Sequence, residues 1–157
     1  MVTHARSYQG PQDPEFAKQV AEVAMVPLQD CLSGEISADS IGRPLGLTRF
    51  GGRIARVYLT EGDCGRDDSD DLYAEADVFI NGVTCLSTKP KIEANDGSAS
   101  EVKTTLGGTD TGVTEAVIAA ANSFSPGDQI SWNYELTRTT PDTEIGNPCI
   151  CVELLPD

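Results

Sequence analysis

The sequence predicts a mainly β protein, an antiparallel β-sandwich of jelly-roll type preceded by an N-terminal arm containing one short helix. Three observations predict it. From Arg53 onward apolar residues recur with period two, the spacing that places them on one face of a strand. The apolar runs are short and separated by Gly, Pro, Asn and Asp, as in an all-β domain. Residues 1–52 lack that alternation and read as the arm, leaving residues 53–157 as the domain.

Residues 1–12 are polar and carry Gly10-Pro11, as an extended segment would. Asp13 can cap a helix and Pro14 suits its first position; Phe16, Val20, Val23 and Ala24 then form an apolar stripe that Pro27 ends. A helix this short is marginal alone, so the stripe must dock on its own domain or on another chain. Residues 28–52 hold Gly34, Gly42, Pro44, Gly46, Gly51 and Gly52 and read as a linker that Ile36, Ile41, Leu45 and Leu47 could fasten along a surface. The expected partner contacts of the arm are Phe16, Val20, Val23, Leu28, Leu45 and Leu47.

In the domain, Ala55, Val57 and Leu59 alternate with Arg56, Tyr58 and Thr60, and Ala74, Ala76, Val78 and Ile80 alternate with Tyr73, Glu75, Asp77 and Phe79. Asn81-Gly82 follows and suits a type I′ hairpin turn, in which both central residues need positive φ. Further strands are expected at Val83 to Thr88, Val102 to Leu106, Ala116 to Ala120, Gln129 to Thr137 and Cys149 to Leu155, with Pro126-Gly127 turning the chain before Gln129. Val57, Leu59, Val78, Ile80, Ile130 and Val152 are the expected core.

Three of these stretches also carry a resemblance. Asp77-Val-Phe-Ile-Asn-Gly82, Thr88-Lys-Pro-Lys-Ile92 and Phe124-Ser-Pro-Gly-Asp-Gln-Ile130 are similar to the small jelly-roll β-domain of tailed-phage virion proteins, which include capsid decoration (cement) proteins and head- or tail-fibre modules. The likeness covers residues 53–155 and consists of turn and strand chemistry, with no active site to transfer. It implies a structural virion protein on the outer capsid surface, assembled in the host cytoplasm, that binds and stabilises the head shell. Its implied partners are the major capsid protein and further copies of itself, as a homotrimer. Two alternatives remain at this point: a head-fibre or tail-associated module that binds host-surface glycans, and a tail or connector component.

Charge restricts the partners. The formal net charge is −14, from 25 Asp and Glu against 11 Lys and Arg. Residues 1–50 hold four basic and six acidic side chains (−2), leaving seven and nineteen (−12) for the remainder. Such a field repels phosphate backbones, so no nucleic-acid partner is expected. No stretch approaches the roughly 18 apolar residues of a spanning helix, and the N-terminus has no basic segment followed by an apolar core, so neither membrane insertion nor a secretory signal is expected.

The residues that most often carry chemistry are sparse. Cys31, Cys64, Cys85, Cys149 and Cys151 are odd in number and contain no CxxC pair; they read as reduced, small apolar side chains, with Cys149 and Cys151 on one face of a strand. The single histidine, His4, lies in the arm, so Ser-His-Asp and Cys-His catalysis lack their base. Gly107-Gly108 is followed by Thr-Asp, which is no phosphate-binding loop. No pair of carboxylates is singled out for glycoside hydrolysis, and neither an enzyme nor a cofactor is expected. The acidic run Asp63 to Asp71 is a weak calcium candidate through Asp67, Asp68, Asp70 and Asp71, since calcium takes about six to eight oxygens in flexible geometry. Its register is not that of an EF-hand: counted from Asp63, the sixth residue is Asp68 and the twelfth Ala74. Trp132 and Tyr134 share a face of one predicted strand, where they could form either a sugar-binding row, with Tyr58 beside it, or part of the core.

Overall fold

The computed structural model describes residues 25–69, 71–96 and 101–157, and the regular structure among them is all β. In chain order the strands are β1 Val26–Cys31, β2 Glu35–Ile36, β3 Ser40–Leu47, β4 Gly52–Asp63, β5 Tyr73–Ile80, β6 Val83–Thr84 and β7 Leu86–Thr88. They continue with β8 Lys91–Glu93, β9 Lys103–Thr104, β10 Val113–Thr114, β11 Val117–Ile118, β12 Ser123–Phe124, β13 Gln129–Thr137 and β14 Ile145–Pro156. The expected helix over Phe16, Val20 and Val23 falls outside the described residues.

Two antiparallel sheets pack as a sandwich. One runs β1-β14-β4-β12, with β2 also on β14 and β9 also on β4; the other runs β10-β8-β5-β13-β3, with β6 also on β5. Period-two patterning explains the packing: on β4, Ile54, Val57, Leu59 and Glu61 are buried, while on β13 it is Ile130, Trp132 and Tyr134. Val57, Leu59, Val78, Ile80, Ile130 and Val152 all lie in this core, as the alternation predicts. Asn81 (φ 50°) and Gly82 (φ 81°) make the expected turn between β5 and β6, and Gly127 (φ 93°) lies in the turn before β13.

Side closure comes from short elements. The two-stranded ribbon of β7 and β11 bridges one flank, with Ala119 N donating to Cys85 O (2.8 Å) and Ile54 N on β4 donating to Asn122 O (3.0 Å). The opposite flank is held by β1 and β3.

The linker expected over residues 28–52 is instead strand. β1 pairs with β14 from Val26↔Leu154 to Cys31↔Cys149, and β3 pairs with β13 from Gln129↔Leu47 to Tyr134↔Ser40. Glycines that suggested a linker punctuate these strands: Gly34 and Gly42 have φ of 81° and 69°. The β13–β3 ladder shifts register twice, and β3 is an edge strand, where a proline such as Pro44 is tolerated. Residues expected to hang from the domain thus belong to both of its sheets.

Candidate functional site

The N-terminal segment enters the sandwich at a defined point. Met25 and Pro27, with Arg56 of β4 and Glu153 of β14, line a concavity of about 370 Å³ on the outer face of the first sheet. Arg56 Nη1 lies 3.4 Å from Glu153 Oε2. A bulge creates this arrangement. The ladder steps from Arg56↔Glu153 to Ile54↔Leu154, so Ala55 and Arg56 share one place opposite β14.

Beside it runs a groove of about 490 Å³, lined on one side by Ala55–Tyr58 and on the other by Thr105, Leu106, Glu115 and Ile118. It exists because the outer edge of β4 is taken by β12 at Gly52–Arg53 and by β9 at Thr60–Glu61, while the stretch between lines the groove. Tyr58, half-buried there, has its phenol pushed up to about 12, mainly by a hydrogen bond with Cys151 and then by burial.

The root of β1 is fastened twice. Cys31 and Cys149, facing each other across the β1–β14 ladder, form a disulfide. One position earlier, the Asp30 carboxylate accepts from Arg43 Nε (2.7 Å) and Nη2 (3.1 Å) on β3 and from Trp132 Nε1 (2.9 Å) on β13. The Arg43 guanidinium holds Asp30 below the usual aspartate range, against the opposing effect of burial.

The residues expected to contact partners do not form one surface. Phe16, Val20 and Val23 are outside the described residues. Leu28 and Leu45 pack against the core, and Leu47 stands 69% exposed at the end of edge strand β3. The acidic run is organised internally. Asp67 accepts from the Ser69 amide (3.0 Å) and hydroxyl (2.6 Å) and from the Asp71 amide (3.1 Å), bonds that hold its carboxyl below the usual range. Asp68 pairs with Arg66 at 2.9 Å. Asp70 is not described. Among the described residues no group of three or more His, Cys, Asp or Glu side chains is placed to hold a metal ion, and no helix is long and apolar enough to cross a membrane.

Trp132 and Tyr134 do share a face, and it is the inner one: both are 0% exposed. Their rings meet edge to face at 6.2 Å. A sugar-binding row built on them is therefore excluded, while Tyr58 lies on the other sheet.

Sequence reasoning missed three features. The Cys31–Cys149 pairing joins strands far apart in the chain and has no local signal. Asp30 sits in a segment read as linker. Glu61 was legible, because it continues the inward phase of Val57 and Leu59; it is fully buried and accepts from Tyr134 Oη at 3.1 Å. Burial pushes its carboxyl up to about 8, against the lowering effects of the Tyr134 hydrogen bond and the Lys103 charge.

Compared with known proteins, the chain matches no family model, and no curated protein or solved structure is significantly similar to it.

Proposed function

We propose that the protein is a structural virion component of the capsid decoration, or cement, type. In this reading the β-sandwich sits on the outer head shell, while the N-terminal segment binds the major capsid protein or a neighbouring copy in a homotrimer. One observation carries it: β1, which leads directly out of residues 1–24, is locked to the first sheet by Cys31–Cys149 and to the second through Asp30, Arg43 and Trp132. A tether with so firm a root can transmit load from a docked arm to a whole domain. The all-β sandwich and the phage-like turn motifs agree with it.

The mechanism is linkage. A protein that binds assembled shell and not free subunits stabilises the shell by mass action, and repetition over a symmetric surface multiplies a modest contact energy. An acidic surface suits a role outside the shell, away from packaged nucleic acid.

The test is cosedimentation of the purified protein with shells that lack it. Saturable binding over the whole shell surface supports the proposal. Absence of binding, or occupancy confined to one vertex, overturns it.

A further inference from the structure

Glu61 and Lys103 stand directly opposite each other in the β4–β9 ladder. Both are interior, 0% and 2% exposed. Facing residues of an antiparallel pair have Cβ atoms about 4.5–5.5 Å apart, a distance that both side chains can bridge. They nevertheless share no hydrogen bond. Lys103 Nζ donates to the Glu93 carbonyl oxygen at 2.8 Å, while Glu61 Oε1 accepts from Tyr134 Oη at 3.1 Å. Glu61 Oε2 is buried without a hydrogen-bond partner. An amine and a carboxyl group confined together without mutual satisfaction carry a large desolvation cost.

We propose that Glu61 and Lys103 condense into an intramolecular isopeptide bond that covalently joins β4 to β9. The step needs a free amine and a protonated acid, so one proton first leaves the Lys103 ammonium for solvent. The Nζ lone pair attacks Glu61 Cδ, and the Tyr134 hydroxyl stabilises the negative charge that develops on Oε1. The Cδ–Oε2 bond then breaks. Oε2 leaves as water, carrying the acid proton and one proton from Nζ; the new C–N bond completes the amide, and no oxidant or reductant takes part. Burial raises the Glu61 carboxyl to about 8, so at neutral pH it is largely the protonated acid this step needs. In water the condensation would be unfavourable. Here the β4–β9 ladder confines both side chains to one part of the interior, so that a swing of Lys103 Nζ from the Glu93 carbonyl toward Glu61 brings them together; the product removes two poorly satisfied ionisable groups, and the interior excludes the water that would reverse it.

Intact-mass measurement of the folded, full-length protein after disulfide reduction tests the proposal. The expected mass is one water below that of the sequence, and Lys103→Arg restores the full sequence mass. Proteolysis should give a branched peptide joining Glu61 to Lys103, with no tryptic cleavage after Lys103. Tyr134→Phe, if folded, should condense more slowly. The wild-type chain decides alone, whatever becomes of the variants: the unaltered sequence mass after prolonged incubation at neutral pH overturns the bond. So does a water lost elsewhere, as by succinimide formation at Asp96-Gly97, with Lys103 left unbranched. Shell binding is a separate measurement and does not affect this result.

Discussion

The indole Nε1 of Trp132 donates to Asp30 Oδ2 at 2.9 Å, across 102 residues of sequence. The same carboxylate receives a two-pronged pair from Arg43, whose guanidinium stands 6.0 Å from the Trp132 ring centre. A buried indole needs an acceptor for its N–H, and here that acceptor belongs to the opposite sheet. One side chain of β1 thereby ties together β1, β3 and β13.

Asp30→Ala should destabilise the protein by about 2 kcal/mol, because it leaves the Trp132 N–H and a half-buried guanidinium without their partner. Urea unfolding followed through Trp132, the sole tryptophan, measures this. The pH sign is definite. Asp30 has its folded pKa lowered below 3.8, chiefly by Arg43, so its stabilisation is present above that value and is lost as pH falls through the lowered one. Acid unfolding of the wild type should show this component, and that of Asp30→Asn should lack it.

Reduction of Cys31–Cys149 should lower stability by on the order of 4 kcal/mol, since the bond closes a loop with a sequence separation of 118. Melting with and without reductant checks the magnitude. Cys64, Cys85 and Cys151 are buried, so a thiol reagent should find no rapidly reacting group in the native oxidised protein and gain Cys31 and Cys149 after reduction.

A chain beginning at Met25 should fold, whereas one beginning at Gly51 should not. The longer deletion removes β1, β2 and β3, so that β14 and β13 each lose the strands on one edge while keeping β4 and β5 on the other, and Trp132 loses Asp30. Circular dichroism and urea unfolding distinguish the two. With the shorter deletion, loss of shell binding assigns that contact to residues 1–24; retained full affinity would exclude the arm from it.

Lys103→Arg, which cannot form the amide, should expose the titration of Glu61. Its folded pKa, about 8, lies above the usual value of 4.5, so its contribution is fully present below about 4.5 and is lost as pH rises through 8. Stability of the variant should therefore fall between those values, with a slope of at most about 1.4 kcal/mol per pH unit. A cross-linked wild type should show no such fall, while an uncross-linked one would show it as well.

Much of the architecture was legible because strands carry local signals. Alternation located β4, β5 and β13, Asn81-Gly82 located a hairpin turn, and the inward phase of β4 picked out Val57 and Leu59 as core. Residues 28–52 were misread because glycine and proline have the same composition in a linker as in an edge strand broken by bulges. Only pairing with β14 and β13 separates the two cases.

By itself the sequence determined the class of the fold, the identity of its central strands and an acidic surface, all of which follow from residue spacing and charge within short windows. The tertiary structure alone decided that Trp132 and Tyr134 face inward, that Cys31 meets Cys149, that Asp30 spans the sheets and that Glu61 confronts Lys103. The first is a choice of which face of β13 is buried, and the other three are relationships between residues distant in the chain. All depend on strand order and register, which arise from the simultaneous burial of both sheets and leave no imprint on any one segment.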